Sequence, residues 1–375
     1  MFFEGVLLLT DIEYMKMALE LAGRGCGSVN PNPMVGAVIV KNGKIIGRGF
    51  HERYGEAHAE RRALADCADP PEGATLYVTL EPCCHHGKTP PCTDAVIESG
   101  IRRVVVGSGD PNPLVAGRGI EILRQNGIEV TEGVLREECD RLNEVFFHFI
   151  KTGMPFVVMK YAMTMDGKIA TYSGKSKWIT GEAARRRVHS DRSRYTGIVV
   201  GVGTVLADDP MLDCRLVRGR NPVRIICDTN LRTPLDSNVV RTANSQRTII
   251  AACCADEARI LPYRDAGCEI LVLPESGGHV DLKALMAALG EMKIDGLLLE
   301  GGAALNWSAL ESGIVNRIQA YIAPKLFGGE RAKSPIGGVG VDDPNAAFRL
   351  TAPAVTFLDG DLFLESEVIP CSPES

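Results

Sequence analysis

No stretch of this 375-residue chain approaches the ~20 consecutive apolar residues that a membrane-spanning helix requires, so no membrane span is expected. The start, Met-Phe-Phe-Glu-Gly-Val-Leu-Leu-Leu-Thr, is apolar but short, lacks a basic n-region and carries Glu4, which makes it a poor secretory signal. Positive charge is also in short supply. Lysine and arginine number 41 against 47 aspartate and glutamate, a net charge of −6. That balance argues against a broad nucleic-acid-binding surface and leaves room only for local basic pockets. There is no internal repeat, no low-complexity segment and no complete G-x-G-x-x-G fingerprint. The remainder is an ordinary globular composition, 45% hydrophobic and 23% charged, in a chain too long for one typical core. Two domains are therefore expected.

Cysteine, by contrast, is plentiful, with 12 residues scattered along the chain. Most lie in apolar runs, as Cys227 does in Val-Arg-Ile-Ile-Cys-Asp, where a thiol behaves as a small hydrophobe. With no secretory signal, the expected setting is a reducing cytoplasm without disulfides.

One stretch breaks the scatter. Residues 80–93 read Leu-Glu-Pro-Cys-Cys-His-His-Gly-Lys-Thr-Pro-Pro-Cys-Thr. An apolar strand (74–80) feeds in and a helix-like run (93–100) leads out, while His58-Ala59-Glu60 opens another helix upstream. A His with a Glu two residues later, then Pro-Cys and a further Cys, is the outline of a zinc deaminase site. Catalytic zinc takes three protein ligands and a water, and His58, Cys83 and Cys92 would supply the three. The metal lowers the water's pKa toward ~7. Glu60 would then carry protons from the water to the leaving ammonia. The general signature has two residues between its cysteines, whereas eight separate Cys83 from Cys92, and Cys84 offers a rival ligand. Cys83 is preferred because it directly follows Glu81-Pro82. A structural zinc site with four protein ligands is the competing assignment, although such a site has no need of Glu60.

Around this stretch the pattern is α/β. Asp11 is expected to cap a helix reaching residue 22. Strands 35–40 and 44–50 flank an Asn42-Gly43 hairpin turn. Helix 58–68, strand 76–80, helix 93–100, strand 104–106, helix 120–126 and strand 128–130 follow, and then one helix over 135–150. A domain boundary at residues 151–155 gives domains 1–150 and 151–375. In the second half, strands are expected at 156–161, 197–202, 223–227, 248–252, 297–299, 318–322 and 357–363, with helices at 182–194, 282–289 and 301–312. Gly201/Gly203 and Gly301/Gly302 each lie between an apolar strand and a helix. There a phosphate can approach backbone N–H groups, or the turn can simply be tight. Arg185, Arg186, Arg187, Arg192 and Arg194 crowd one helix, as a solvated face or, for one or two of them, an anion pocket. Trp178 sits in a polar loop, where it could stack on a flat cofactor ring or plug the core.

These motifs resemble, across nearly the whole chain, the bifunctional riboflavin-biosynthesis deaminase–reductase family. Asn30-Pro31-Asn32-Pro33, His58-Ala59-Glu60, the 81–92 stretch and Asp110-Pro111-Asn112-Pro113 look like its deaminase half. Lys160, Asp166-Gly167, Ser176-x-Trp178-Ile179-Thr180, residues 204–210, Glu300-Gly301-Gly302 and Ala323-Pro324-Lys325 look like its reductase half. The resemblance implies a cytidine-deaminase-like three-layer domain followed by a dihydrofolate-reductase-like α/β domain, with one Zn2+ per chain and NADPH. It implies hydrolytic deamination of 2,5-diamino-6-ribosylamino-4(3H)-pyrimidinone 5′-phosphate, then reduction of the ribosyl group to ribityl. Carried over by position, Asn32, His51, His85, Lys88, Asp110 and Asn112 would contact the first substrate. Ser176, Arg192, Leu212, Arg215 and Glu300 would contact the second. Ala162, Trp178, Thr204, Asp208, Thr229 and the run Gly301, Gly302, Ala303, Ala304, Leu305, Asn306 and Trp307 would hold the cofactor. The family often has Gly-Pro-Thr where this chain has Gly302-Ala303-Ala304, which removes one hydroxyl donor near the cofactor phosphates. Cys84 stands where Ser is frequent, in keeping with a bystander. The expected partners are a small phosphorylated pyrimidine and no nucleic acid, in a homo-oligomer, dimer or tetramer.

Overall fold

The computed structural model describes residues 9–86 and 90–370. A boundary between Gly153 and Met154 divides the chain into two units. The first carries α1 (Asp11–Gly23), β1 (Gly36–Lys41), β2 (Lys44–Phe50), α2 (Ala59–Ala65), β3 (Thr75–Leu80), α3 (Cys92–Glu98), β4 (Arg103–Ser108), α4 (Arg118–Gln125), β5 (Glu129–Glu132), α5 (Arg136–Leu142) and α6 (Glu144–Thr152). Its sheet has the order β2-β1-β3-β4-β5, antiparallel across β2-β1-β3 and parallel from β3 to β5. Period-2 alternation divides the core between the two faces. Ile39, Leu76, Val78, Val104 and Val106 pack with Ala59, Val96, Ile120 and Leu123 on one side. Val38, Val40, Tyr77 and Val105 pack with Tyr14, Met15, Ala18 and Cys139 on the other. The result is three layers, helices on both sides of a sheet.

Close approach fixes the helices on the hairpin. A Cβ at Gly36 would come within 2.0 Å of the Ala18 carbonyl, and one at Gly49 within 2.4 Å of the Ala59 carbonyl. The second contact seats α2, the helix that carries Glu60. Asn42 at φ 53 and Gly43 at φ 76 close the hairpin as that dipeptide allows.

Two expectations need correction here. The α1 cap is Thr10, which forms a capping box with Glu13. Asp11 instead takes the Arg103 guanidinium (Nη2–Oδ2 2.7 Å) and the Tyr77 hydroxyl (2.8 Å), tying α1 to β3 and β4. The single helix over 135–150 is two, broken at Asn143. The Asn143 side chain accepts from the Met34 N–H at 2.8 Å and donates to the Met34 carbonyl at 2.9 Å, and its backbone leaves the helical region at φ −106, ψ 18.

The second unit carries β6 (Phe156–Thr164), α7 (Glu182–Arg194), β7 (Gly197–Gly201), α8 (Val202–Asp208), β8 (Val223–Cys227), α9 (Asn238–Arg241), β9 (Thr248–Ala252), α10 (Glu257–Asp265), β10 (Glu269–Val272), β11 (Glu275–Ser276), β12 (His279–Val280), α11 (Leu282–Glu291), β13 (Gly296–Leu299), α12 (Ala303–Glu311), β14 (Arg317–Ala323), β15 (Ala354–Leu358) and β16 (Asp361–Glu367). Its main sheet runs β10-β9-β8-β7-β13-β6-β14-β16-β15, parallel as far as β14 and antiparallel beyond. From β6 the chain steps outward through β7 to β10, then returns to insert β13 between β7 and β6. The carboxyl ends of β6, β13 and β7 thus stand side by side, where open α/β sheets bind ligands. The single strand expected over 357–363 is a hairpin, because Asp359 (φ 49) and Gly360 (φ 97) turn the chain back. Among the described residues no helix is long and apolar enough to cross a membrane.

Candidate functional site

In the first unit three elements meet at a potential metal centre. His58 caps α2, Cys83 follows β3 and Cys92 opens α3. The Cys92 and Thr93 N–H groups donate to the Cys83 carbonyl at 3.0 and 3.2 Å, closing the long insert so that the two cysteines meet. The His58 Nδ1 lies 3.4 Å from each sulfur, and all three ligand atoms lie within 4.8 Å of one another. Cys84 is not in this cluster. Its sulfur points to the Leu114 carbonyl at 3.7 Å. Hydrogen bonds from Cys92 and His58 hold the Cys83 thiol down at about 4, while the same Cys83 bond and burial push Cys92 up. An anionic sulfur, a second sulfur and an imidazole nitrogen aimed between them make a donor set that suits zinc.

Glu60, in the first turn of α2, is 3% exposed. Burial and the neighbouring Cys83 charge push its carboxyl from 4.5 up to about 7. It shares a cavity of about 220 Å³ with His58, Cys83, Asn32, His51, His85, Asp110 and Asn112. His51 is buried, and burial lowers its pKa. Its Nδ1 lies 3.3 Å from the Ala57 carbonyl and its Nε2 3.1 Å from the Asn32 amide nitrogen, which assigns a neutral ring protonated at Nδ1. Burial raises Asp110 to about 6, and its Oδ1 accepts the Asn112 N–H at 2.8 Å. His85 keeps a buried Nδ1 without a partner among the described residues. Lys88 lies outside the described residues.

Sequence reasoning missed the role of Glu81, which it used only to flank Cys83. The buried Glu81 carboxylate accepts the N–H groups of Asp110 (3.2 Å), Gly117 (3.0 Å), Gly119 (2.9 Å) and Ile120 (3.2 Å). It fastens the Asp110–Asn112 wall of the cavity to the strand that delivers Cys83. Its position two residues before Cys83 was the available signal.

In the second unit the charged centre is Glu300, just past β13. Arg192 of α7 donates from Nε and Nη2 to its two oxygens at 2.7 and 3.1 Å, and the Lys160 Nζ of β6 lies 3.5 Å away. Burial alone would raise Glu300, but these two cations hold it at about 2. The Arg192 Nη1 donates to the Asp213 carbonyl at 3.0 Å, and Arg215 pairs with the Asp213 carboxylate. His189, one turn from Arg192, is 5% exposed, and burial together with Arg192 and Arg215 lowers it to about 4.

The loop bearing Asp213 is clamped from behind by residues that sequence reasoning passed over. The Gln246 amide donates to the carbonyls of Leu212 (3.0 Å) and Pro222 (2.8 Å). The fully buried Arg224 binds the Thr242 and Thr248 hydroxyls and the Gln246 carbonyl at 2.7, 2.9 and 2.8 Å. Leu212 is held at φ 51.

The remaining positions are spread along the same sheet. Ala162 is on β6, Thr204 and Asp208 are on α8, and Thr229 follows β8. Ser176 is half-buried and Trp178 60% exposed, with the Arg185 guanidinium 4.8 Å above the Trp178 ring. A Cβ at Gly203 would meet nothing within 4 Å, and one at Gly302 only the Thr204 hydroxyl at 4.0 Å, so both turns have open space before them. Asn306 and Trp307 turn elsewhere. Asn306 is fully buried and donates to the Pro335 carbonyl at 2.9 Å, and Trp307 packs edge-on against Phe348 with ring centroids 5.9 Å apart.

Comparison with known proteins covers both units. The family model of the RibD C-terminal domain matches residues 155–359, and that of the cytidine and deoxycytidylate deaminase zinc-binding region matches residues 9–108. The chain is 56% identical over 361 residues to the riboflavin biosynthesis protein RibD of Actinobacillus pleuropneumoniae, covering 96% of each. It is 41% identical over 336 residues to that of Escherichia coli K12, covering 86% of this chain and 90% of the relative. Among solved structures, Acinetobacter baumannii RibD superposes with a TM-score of 0.87 at 36% identity, over 96% of this chain and 99% of that one. The diaminohydroxyphosphoribosylaminopyrimidine deaminase/5-amino-6-(5-phosphoribosylamino)uracil reductase of Thermotoga maritima gives 0.85 at 40% identity with the same coverage.

Proposed function

The chain belongs to the family of RibD, the bifunctional deaminase–reductase of riboflavin biosynthesis, and from that premise we propose how its residues divide the two reactions. It is a zinc-dependent hydrolase and an NADP-dependent oxidoreductase acting on a small phosphorylated substrate. The first reaction removes an amine from 2,5-diamino-6-ribosylamino-4(3H)-pyrimidinone 5′-phosphate. The second reduces the ribosyl chain to give 5-amino-6-(5-phosphoribitylamino)uracil.

His58, Cys83 and Cys92 would hold the zinc, which when bound would supply a Lewis acid that acidifies a water. Glu60 would take a proton from the attacking water and return it to the departing amine, so that a C–O bond replaces the C–N bond and ammonia leaves. Its buried carboxyl, in the first turn of α2 beside the ligand cluster, is placed for both halves of the task. Asn32, oriented by His51, faces the pyrimidine together with His85, Asp110 and Asn112, and the family motif adds Lys88. In the reductase unit Glu300, fixed by Arg192 and Lys160, meets the substrate with Ser176, Leu212 and Arg215. NADPH supplies the hydride when bound. The open Gly203 and Gly302 turns, each starting a helix, fit its phosphates. Ala162, Trp178, Thr204, Asp208, Thr229 and residues 301–305 hold it, with Asn306 beneath Gly301 and Trp307 set against Phe348.

The observation that carries this reading is the cluster of His58, Cys83 and Cys92, of which His58 and Cys83 line one cavity with the buried Glu60 and five of the motif-matched substrate residues. Its test follows ammonia and NADPH in one tube after the deaminase substrate is added. Both should change, ammonia first. Ammonia without NADPH loss would sink the reductase half.

The assembly is a homo-oligomer, dimer or tetramer, located in the cytoplasm. Eleven free cysteines among the described residues suit a reducing compartment, which cell fractionation checks. For assembly, the edge strand β15 carries no charge, with Val355 55% and Phe357 73% exposed, and such an edge invites pairing with a second copy. Phe357→Lys should lower the sedimentation coefficient. An unchanged value would place the interface elsewhere.

A further inference from the structure

One wall of the deaminase cavity comes from a helix that carries none of the metal-ligating or motif-matched residues. α6 opens after Asn143, the buried residue at which the chain breaks away from α5. The Asn143 side chain grips the Met34 N–H and carbonyl at 2.8 and 2.9 Å, and its backbone carbonyl accepts the Phe147 N–H at 2.9 Å. One residue thus starts the helix and fixes it to the 32–35 segment. Met34 stands between Pro33 and Val35, both of which line the cavity. Pinned there, α6 turns an apolar face inward. Phe146, Phe147 and Ile150 pack on the core of the unit, and of the three Phe146 also lines the cavity.

The cavity has an open side and a closed one. Tyr54 and Gly55 are exposed and stand at its mouth, whereas Val35, Leu80 and Phe146 are buried and apolar. The Val35 carbonyl accepts the His51 N–H at 2.9 Å, and the His51 ring lies edge-on to His58 with centroids 5.2 Å apart. Leu80 is three residues before Cys83 on the same run of chain. The apolar side therefore adjoins the ligand cluster. A ring that brings its amine-bearing carbon to that cluster must lie along this side, with its ribose phosphate toward the mouth. Polar groups such as Asn32, Asp110 and Asn112 can satisfy the edge of a flat heteroaromatic ring, but its faces need apolar partners. Phe146 is the one buried benzenoid ring among the described lining residues. Aromatic pairs add affinity beyond the area they bury.

Resting on the reading that this cavity takes the pyrimidine, we propose that Phe146 is the aromatic wall on which the pyrimidine ring packs, held in position by the Asn143–Met34 clamp. The full-length, zinc-loaded protein is assayed for ammonia release against the concentration of the diaminopyrimidine substrate. Phe146→Leu keeps an apolar side chain and removes the ring. Its KM should rise on the order of threefold to tenfold with kcat nearly unchanged, the pattern of an interaction equally strong in the ground and transition states. Zinc content should stay the same, and so should NADPH oxidation with the deaminated intermediate supplied. Phe147→Leu is the control, since Phe147 packs on the same core from the same helix but does not line the cavity. It should lower the melting temperature and leave KM unchanged. Phe146→Met repeats the test should the leucine variant fail to fold. An unchanged KM at position 146 overturns the proposal, as does loss of zinc in Phe146→Leu. An equal rise in KM in Phe147→Leu also overturns it, because packing alone would then account for the effect. Absence of ammonia release from the unaltered zinc-loaded protein removes the deaminase reading and the proposal with it.

Discussion

A buried carboxyl beside two cysteines and an imidazole is placed to exchange protons, and the simplest single change tests it. Glu60→Gln keeps the size and loses the proton, so ammonia release should fall on the order of a hundredfold to ten-thousandfold. Zinc content by metal analysis should stay the same, and so should NADPH oxidation with the deaminated intermediate. Undiminished ammonia release would remove Glu60 from its role. Neighbouring cysteines make a second test, because Cys83 points into the cluster and Cys84 to the Leu114 carbonyl. Cys84→Ser should retain the metal and Cys83→Ser should lose it, and the reverse would exchange their assignments. His58, Glu60, Cys83 and Cys92 were legible because ligand chemistry dictates residue type at short spacing. Glu81 and Asn143 were not, because their meaning lies in backbone groups far along the chain. Asn143 answers Met34 across 109 positions, a pairing that no local pattern announces.

Elements read well where one periodicity runs uninterrupted, and poorly where a side chain or turn intervenes. α7 matched its expected bounds at Glu182 and Arg194. The expected helix over 135–150 and strand over 357–363 each became two elements, one through a tertiary hydrogen bond and one through two consecutive positive-φ residues. The arginine-crowded α7 serves several purposes at once. Arg192 reaches Glu300, Arg185 covers Trp178, and Arg187 lies 3.6 Å from Asp191. Asp191 itself is 3% exposed, and burial raises it from 3.8 to about 6 against the pull of Arg187 and Arg194. A carboxyl with a raised folded pKa binds its proton more tightly in the native state. The contribution of Asp191 to stability is therefore greatest below 3.8 and falls as pH rises to about 6, beyond which its loss is constant. That interval corresponds to a penalty on the order of 3 kcal/mol. Asp191→Asn should accordingly gain melting temperature relative to the parent between pH 4 and pH 7, read by calorimetry across that range. A difference independent of pH would show that Asp191 does not titrate there.

At the scale of the whole molecule, the metal and the hydride chemistry fall in different units, divided between Gly153 and Met154. Removing zinc with a chelator should abolish ammonia release and leave NADPH oxidation intact when the deaminated intermediate is supplied, and added zinc should restore the first activity. Loss of both together would show that the units depend on one another. Within the first unit no such separation is available. The Glu81 carboxylate grips four amides of the 110–120 segment from two positions before Cys83. A designer who grafts a new 110–120 loop to change which pyrimidine is accepted is thereby also editing the metal centre. Selectivity and metal retention will move as one trait unless the graft returns all four amides to that carboxylate.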